Sequence, residues 1–368
     1  TIGFFRAVPG GFVPLQDKQY LIGFAQLPDG STLDRSDEVM RRMADIEMAQ
    51  PGVSNAVGFP GLSLNGFTNS ASAGIVFATL DDFDQRRDPS RSAGAIAGAL
   101  NGQFAGIQEA MIAIFPPPPI DGIGQTGGFK LELVDKGGVG YEGLDGAVKA
   151  FLGKAASAPE LQGLFTGFQI NVPQLHADID RTRARQLNVP ITEVFEAMQV
   201  YLGSLYVNDF NRFGRTYSVR LQADAPYRSR ADDIGLIKVR STTGEMVPLS
   251  ALLDIRQTFG PERAMRYNGF LSADISGGPA PGYSSGQARA AVERIAADVL
   301  PPGVGFEWTD LTYQEILAGN SAAWVYPLVI LLVFLVLAAL YESLTLPLAI
   351  ILIVPMGMLA ATSSPRSG

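Results

Sequence analysis

Residues 271–308 read LSADISGGPAPGYSSGQARAAVERIAADVLPPGVGFEW. Leu271–Ser276 reads as a strand and Ser285–Val299, rich in Ala and small charged residues, as a helix. Pro301-Pro302-Gly303-Val304 breaks that helix before the apolar strand Gly305–Trp308. The same grammar occurs three more times. Tyr20–Leu27 precedes the helix Asp34–Gln50, and Pro51-Gly52-Val53 leads into SNAVGF at 54–59. Gly74–Leu80 precedes the helix Ser92–Gln108 and the strand Met111–Phe115, which Pro116–Pro119 stop. Phe129–Val134 precedes the helix Gly143–Ala158, then Pro159 and the strand Leu161–Phe168. Four strand–helix–strand units pair naturally into two ferredoxin-like split-βαβ sandwiches, so an α+β fold is predicted. The first spans 17–124. The second is divided into 125–172 and 263–318, and residues 173–262 form an inserted α+β domain. Within the insert the pattern predicts a helix at Ile191–Tyr201, hairpin strands at Tyr217–Ala223 and Ile234–Arg240, and a turn at Thr243-Gly244.

The composition narrows the function. Of 368 residues 36 are acidic and 28 basic, a formal charge of −8; 47% are hydrophobic and 17% charged. Cysteine is absent, which excludes disulfide scaffolds, zinc fingers and thiol nucleophiles. A net acidic balance without basic runs argues against a nucleic-acid partner, because phosphate binding needs clustered Lys and Arg. His176 is the sole histidine, too little for a transition-metal site. Met40, Met43 and Met48 share a helix, and helical methionines ordinarily fill core gaps. The Gly-rich run SGGPAPGYSSG at 276–286 lacks the lysine of a phosphate loop. Asp180 is a candidate N-cap.

No Asp, Glu, Lys, Arg or His lies between Ile316 and Tyr341. The eleven large apolar residues of LVILLVFLVLAAL, 328–340, favour a bilayer by about 5 kcal/mol on the insertion scale. Residues 322–341 are therefore predicted to form a transmembrane helix, with Trp324, Tyr326 and Tyr341 at its ends. A second apolar run, 344–362, holds Pro347 and Pro355 and reads as a partial transmembrane helix. TIGFF at the start, followed by Arg6, reads as the end of an earlier one, with residues 1–16 as tail and linker. The expectation is an internal piece of a larger membrane protein.

Several longer motifs carry a family resemblance. They are PGGFVP at 9–14 followed by Asp17, AQLPDGST at 25–32, FPPPPIDGIGQTGGFKLEL at 115–133, GSLYVNDFNRFGRTYSVRLQADAPYR at 203–228 and LYES at 340–343. On them the chain resembles the C-terminal half of a resistance–nodulation–division (RND) multidrug efflux pump of the hydrophobe/amphiphile exporter branch. FPPPP and GSLYVNDFN are most similar to the MexF-like subgroup. The resemblance implies a periplasmic porter of two subdomains with a docking subdomain inserted in the second, carried by the bacterial inner membrane. It implies a homotrimer joined by a periplasmic adaptor protein to an outer-membrane channel, a secondary transporter and not an enzyme. It further implies hydrophobic or amphiphilic small molecules as cargo. No cofactor is implied beyond the proton gradient of the full-length pump, whose intramembrane relay residues lie outside this chain.

A polyspecific site needs broad apolar and aromatic surface with few fixed charges, and this chain has 21 Phe. Phe59, Phe67 and Phe77 surround the Gly-rich segment 58–74. The resemblance implies that Val57, Phe59, Ile75 and Phe77 line a deep pocket, and that Leu64 and Phe67 sit on a switch loop. It places Phe129, Leu131 and Leu133 at a lower access cleft, with Phe165 where some relatives carry arginine, making the entrance more apolar. Periodicity alone reads Phe59, Ile75, Phe77 and the 129–133 trio as ordinary strand core. Phe67, in a Gly/Asn loop, has no evident core face. A heavy-metal exporter of the same superfamily and a membrane-anchored binding or assembly module without transport are the alternative functions. A tethered enzyme lacks any nucleophile–base cluster in the sequence.

Overall fold

The computed structural model describes residue 13 and residues 16–124, 127–319 and 321–353, apart from the side chains at 321–323 and 326. The tail expected at 1–16 therefore lies almost wholly outside the described residues, as do PGGFVP, save Val13, and the end of the 344–362 run. The chain is mixed α+β and divides into two compact units, one of residues 1–170 with 261–368 and one of 171–260.

In the first unit, β1 (Tyr20–Gln26), α1 (Leu33–Ala49), β2 (Val53–Ser63), β3 (Thr68–Leu80), α2 (Ala93–Phe104) and β4 (Met111–Phe115) follow in order. Their antiparallel sheet is ordered β2-β3-β1-β4. Helix α1 buries Ser36, Val39, Met40, Met43 and Glu47, a stripe at helical spacing. Gly74 on β3 makes room for that stripe: a Cβ there would collide with the Met40 sulfur. Met40 and Met43 are thus core residues, whereas Met48 is half exposed. Ser92 caps α2 by accepting from the Ala95 N–H at 3.3 Å.

Asn101 of α2 fastens this helix to the open edge of β4. Its amide nitrogen donates to the carbonyls of Ala97 and Ile114, both at 2.8 Å, and its oxygen accepts from the Ile114 N–H at 3.0 Å. The side chain thereby supplies the pairing that a further strand would give. Asn101→Ala should lower unfolding free energy by about 1–2 kcal/mol, because two backbone groups of β4 lose their protein partner. A melting temperature within a degree of wild type would contradict that assignment.

The second lobe of this unit starts with β5 (Phe129–Asp135), α3 (Gly140–Ala155) and β6 (Leu161–Phe165). The Asp135 carboxylate accepts from the N–H groups of Gly138, Val139 and Gly140, at 2.7–2.9 Å, and so starts α3. These bonds outweigh partial burial and hold its pKa below the usual range.

The second unit is closed by β7 (Val172–Ile179) pairing with β12 (Leu253–Gly260). Between them lie α4 (Arg181–Gln186), α5 (Ile191–Met198), β8 (Leu205–Arg212), β9 (Arg215–Leu221), α6 (Ala231–Leu236), β10 (Lys238–Arg240) and β11 (Met246–Pro248). Asp180 caps α4, accepting from Thr182 and Arg183 N–H groups. The stretch read as one strand, Ile234–Arg240, is instead the end of α6 followed by β10. Asp233 accepts from the Arg230 N–H at 2.8 Å, a local cap that starts a helix there. Consequently the two expected hairpin strands do not pair with each other. β9 pairs with β8, and β10 pairs with β11 around Thr243-Gly244.

The chain returns to the first unit with β13 (Arg266–Tyr267), β14 (Phe270–Pro279), α7 (Ser285–Val299), β15 (Val304–Thr309), α8 (Asp310–Ala318) and α9 (Ser321–Tyr341). Its sheet is ordered β13-β14-β5-β15, with β6 also on β14. Ser284 and Gln287 form a reciprocal capping box at the start of α7. Among the described residues no helix is long and apolar enough to cross a membrane. Helix α9 covers the apolar run expected at 322–341.

Candidate functional site

Each strand of the first sheet presents alternate side chains to opposite faces. One face meets α1 and α2 and buries Leu21, Val76, Ala78 and Ile114. The register places Val57, Phe77, Ile22 and Phe115 in one row across the other face, and Phe59, Ile75, Phe24 and Ala113 in the next. This second face has no helix of its own lobe, and its apolar cluster is completed by Leu64 and by Phe165 from the second lobe. Phe165 lies 4.3 Å from Phe24 between ring centroids, and Phe24 lies 6.1 Å from Phe115. Phe59 meets Phe77 edge-on at 5.8 Å. Exposure grades across the sheet, from 0% at Ile75 to 43% at Phe59 and 51% at Val57.

Beside this aromatic bridge lies a cavity of about 580 Å³ between the two lobes. One wall is α2 and β4, through Gly94, Ala97, Gly98, Asn101 and Phe115. The other is Gly127, Gly128, Gly163, Phe165, Gly277 and Gly278. Seven of its lining residues are glycine, so much of the wall is main chain, and none of those described carries a charge. The volume falls within the range of sites that enclose drug-sized molecules.

A much smaller recess adjoins it, lined by Leu64, Asn65, Lys130, Phe165, Asp274, Ser276 and Asp310. It opens on the face of the second sheet away from α3 and α7. Across β14, β5 and β15 three acids stand side by side, because Asp274 and Glu307 both pair in register with Glu132; of these Asp274 lines the recess. Burial pushes the Glu132 carboxyl up to about 7, with Lys130 at 3.5 Å opposing the shift. Burial likewise raises Asp310, again against the pull of Lys130. Glu307 is held low by its hydrogen bond from Lys136. The small recess is thus lined by charged and polar side chains, whereas the larger cavity offers apolar surface, backbone and the side-chain amides of Asn101 and Gln162.

Of the residues expected from the sequence, Val57, Phe59, Leu64, Ile75, Phe77 and Phe165 come together on the open sheet face. Phe67 sits half exposed at the tip of the β2–β3 turn with φ +50°. Phe129, Leu131 and Leu133 lie elsewhere, in the second lobe's core with Leu144, Val148, Phe151 and Val292. Leu131 and Leu133 have no exposed surface. They alternate toward α3 and α7, which cover that face. His176 faces Arg256 across the β7–β12 ladder. Among the described residues no group of three or more His, Asp or Glu could hold a metal ion. Sequence reading missed Gly94, Gly98, Asn101 and the Lys130–Glu132–Asp274 row. The signals were glycine every fourth residue of α2, and charges alternating within two otherwise apolar strands.

A model of the AcrB/AcrD/AcrF family matches residues 1–364. The chain is 37% identical over 363 residues to the multidrug/solvent efflux pump membrane transporter MepB of Pseudomonas putida. It is 36% identical over 363 residues to the toluene efflux pump membrane transporter TtgB of Pseudomonas putida strain DOT-T1E. To the multidrug export protein AcrF of Escherichia coli K12 it is 34% identical over 365 residues. These alignments take in 97–98% of this chain but 34–35% of each relative. The chain thus spans about a third of the length of the curated relatives it matches.

Proposed function

From the premise that this chain belongs to the AcrB/AcrD/AcrF family of RND efflux transporters, we propose that it forms the C-terminal porter portion of a proton-driven exporter of hydrophobic and amphiphilic compounds. The two lobes of the first unit act as ferredoxin-like porter subdomains and the 171–260 unit as the docking subdomain, on the periplasmic side of the inner membrane. The apolar run 322–341 is read from its sequence as their bilayer anchor. The transporter works as a homotrimer that hands cargo through an adaptor to an outer-membrane channel. The observation that carries this reading is the uncharged cavity of about 580 Å³ beside the Phe24–Phe115–Phe165 bridge. Such a site binds by area and shape and demands little specific hydrogen bonding, which suits cargo of many structures. Val57, Phe59 and Phe77 extend the same surface toward solvent. Leu131 and Leu133 support the second lobe from within.

The full-length transporter, expressed in a strain stripped of its own pumps, should raise tolerance to toluene and to hydrophobic antibiotics and leave tolerance to copper and silver unchanged. Increased metal tolerance alone would favour the heavy-metal alternative. No change in either would reject export.

A further inference from the structure

The β2–β3 turn carries Leu64, which lines the small recess, and Phe67, which faces solvent. Strand pairing reaches only to its base, at Ser63 and Thr68. Its tip is held by a segment 198 residues away in the chain. Arg263 donates from Nη1 to the Asn65 carbonyl at 2.8 Å and to the Thr68 hydroxyl, and from Nη2 to the Ser63 hydroxyl at 3.4 Å. The adjacent Glu262 carboxylate accepts from the Ser70 hydroxyl, while its N–H donates to the Gln169 carbonyl at 3.1 Å. Both side chains are largely buried. Within the turn two hydrogen bonds brace the tip, the Asn65 N–H to the Ser63 hydroxyl at 3.3 Å and the Thr68 hydroxyl to the Asn65 carbonyl at 3.1 Å, and Arg263 addresses the same three groups from outside. The Asn65 amide nitrogen and oxygen are buried without a hydrogen-bond partner, and both Gly66 and Phe67 have positive φ.

We infer that Arg263 and Glu262 are positioning residues that latch the β2–β3 turn and so set the cargo dimensions the site accepts. This rests on the export reading above. A guanidinium can address three oxygens of one turn at fixed angles; an ammonium on a flexible stem cannot. With the latch intact, Leu64 completes the apolar face against Phe165. A bulky amphiphile spans from that face to the turn and needs the latch, while a molecule the size of toluene fits within the cavity alone.

The experiment uses the full-length transporter and compares Arg263→Ala, Arg263→Lys and the acceptor-side pair Ser63→Ala/Thr68→Val. Each is also made in a Phe67→Trp background that reports the turn. The KM for a bulky hydrophobic dye should rise roughly tenfold in Arg263→Ala and in the acceptor-side pair, equivalent to about 1.4 kcal/mol. Arg263→Lys should fall between these and wild type, kcat should hold, and the KM for toluene should change less than about twofold by the same measure. Acrylamide quenching of the introduced tryptophan should increase in parallel. If Arg263→Ala does not fold, the acceptor-side pair decides. Unchanged quenching together with unchanged dye KM would overturn the latch. A wild-type protein that moves neither compound would refute the export reading instead, and quenching alone would then decide the latch.

Discussion

Replacing Gly98 by leucine should cut export of bulky cargo at least roughly tenfold, the effect of losing about 1.4 kcal/mol of cargo binding, without loosening the fold. Gly98 sits in the middle of α2 and lines the large cavity. A Cβ built there meets nothing within 4 Å, so a larger side chain enters open space and displaces no neighbour. Glycine in a helix interior is about 1 kcal/mol less favourable than alanine, and leucine is nearly as good as alanine. The substitution therefore stabilises α2 by up to roughly 1 kcal/mol while its isobutyl group fills part of the cavity. Most mutations that damage a transporter do so by weakening it, and this one separates the two effects. The measurement is tolerance to a panel of hydrophobic antibiotics alongside thermal melting of the purified protein. Full export by a Gly98→Leu protein of unchanged or raised stability would show that cargo does not use this cavity.

Replacing Glu47 by methionine should stabilise the first lobe, by an amount that grows with pH. Glu47 is the last member of the buried stripe on α1, with 0% exposure and neither carboxylate oxygen hydrogen-bonded. Burial pushes its pKa up to about 8 from an ordinary 4.5. The folded protein thus holds this proton more tightly than the unfolded chain does. Below pH ~4.5 both states are protonated and the group is neutral in effect. As pH rises from there to about 8 the unfolded state alone gains by ionising, and stability falls by up to 1.4 kcal/mol per pH unit. At pH 7 the wild-type penalty is on the order of 3 kcal/mol. Methionine continues the packing of Met40 and Met43 and cannot ionise. Unfolding of the two proteins in detergent should therefore diverge steadily between pH 5 and pH 8. A difference in stability that stays constant over that range would mean that Glu47 finds a partner or reaches water.

Local order was highly legible in the sequence. Met111–Phe115 and Ser285–Val299 have the bounds expected, because a proline run stops the first and a capping Ser with a Pro-Pro break frames the second. Where a local hydrogen bond competed with pattern, reading failed, as at Ile234–Arg240, where the cap supplied by Asp233 creates a helix turn. The candidate site was only half legible. Val57, Phe59, Ile75 and Phe77 are grouped by the family resemblance, while alternation alone reads Phe59, Ile75 and Phe77 as strand core. Alternation in β5 reads Phe129, Leu131 and Leu133 as core as well, and they do lie under α3 and α7, away from the cleft that the resemblance implies. Both strands look alike in sequence, since period 2 says that two sets of side chains diverge and not which set a helix covers.

What the chain encodes on its own is the succession of strands and helices, the insertion within the second lobe, the apolar terminal run and the family. Those follow from interactions between residues close in sequence and from motifs that can be read directly. Only the tertiary structure decided that one sheet face stays without a helix, that Gly98 borders empty space, that Glu47 is shut away from water and that Arg263 grips a turn 198 residues distant. The reason is physical: burial and hydrogen-bond partnership belong to pairs of surfaces, and the second surface of each pair comes from elsewhere in the chain.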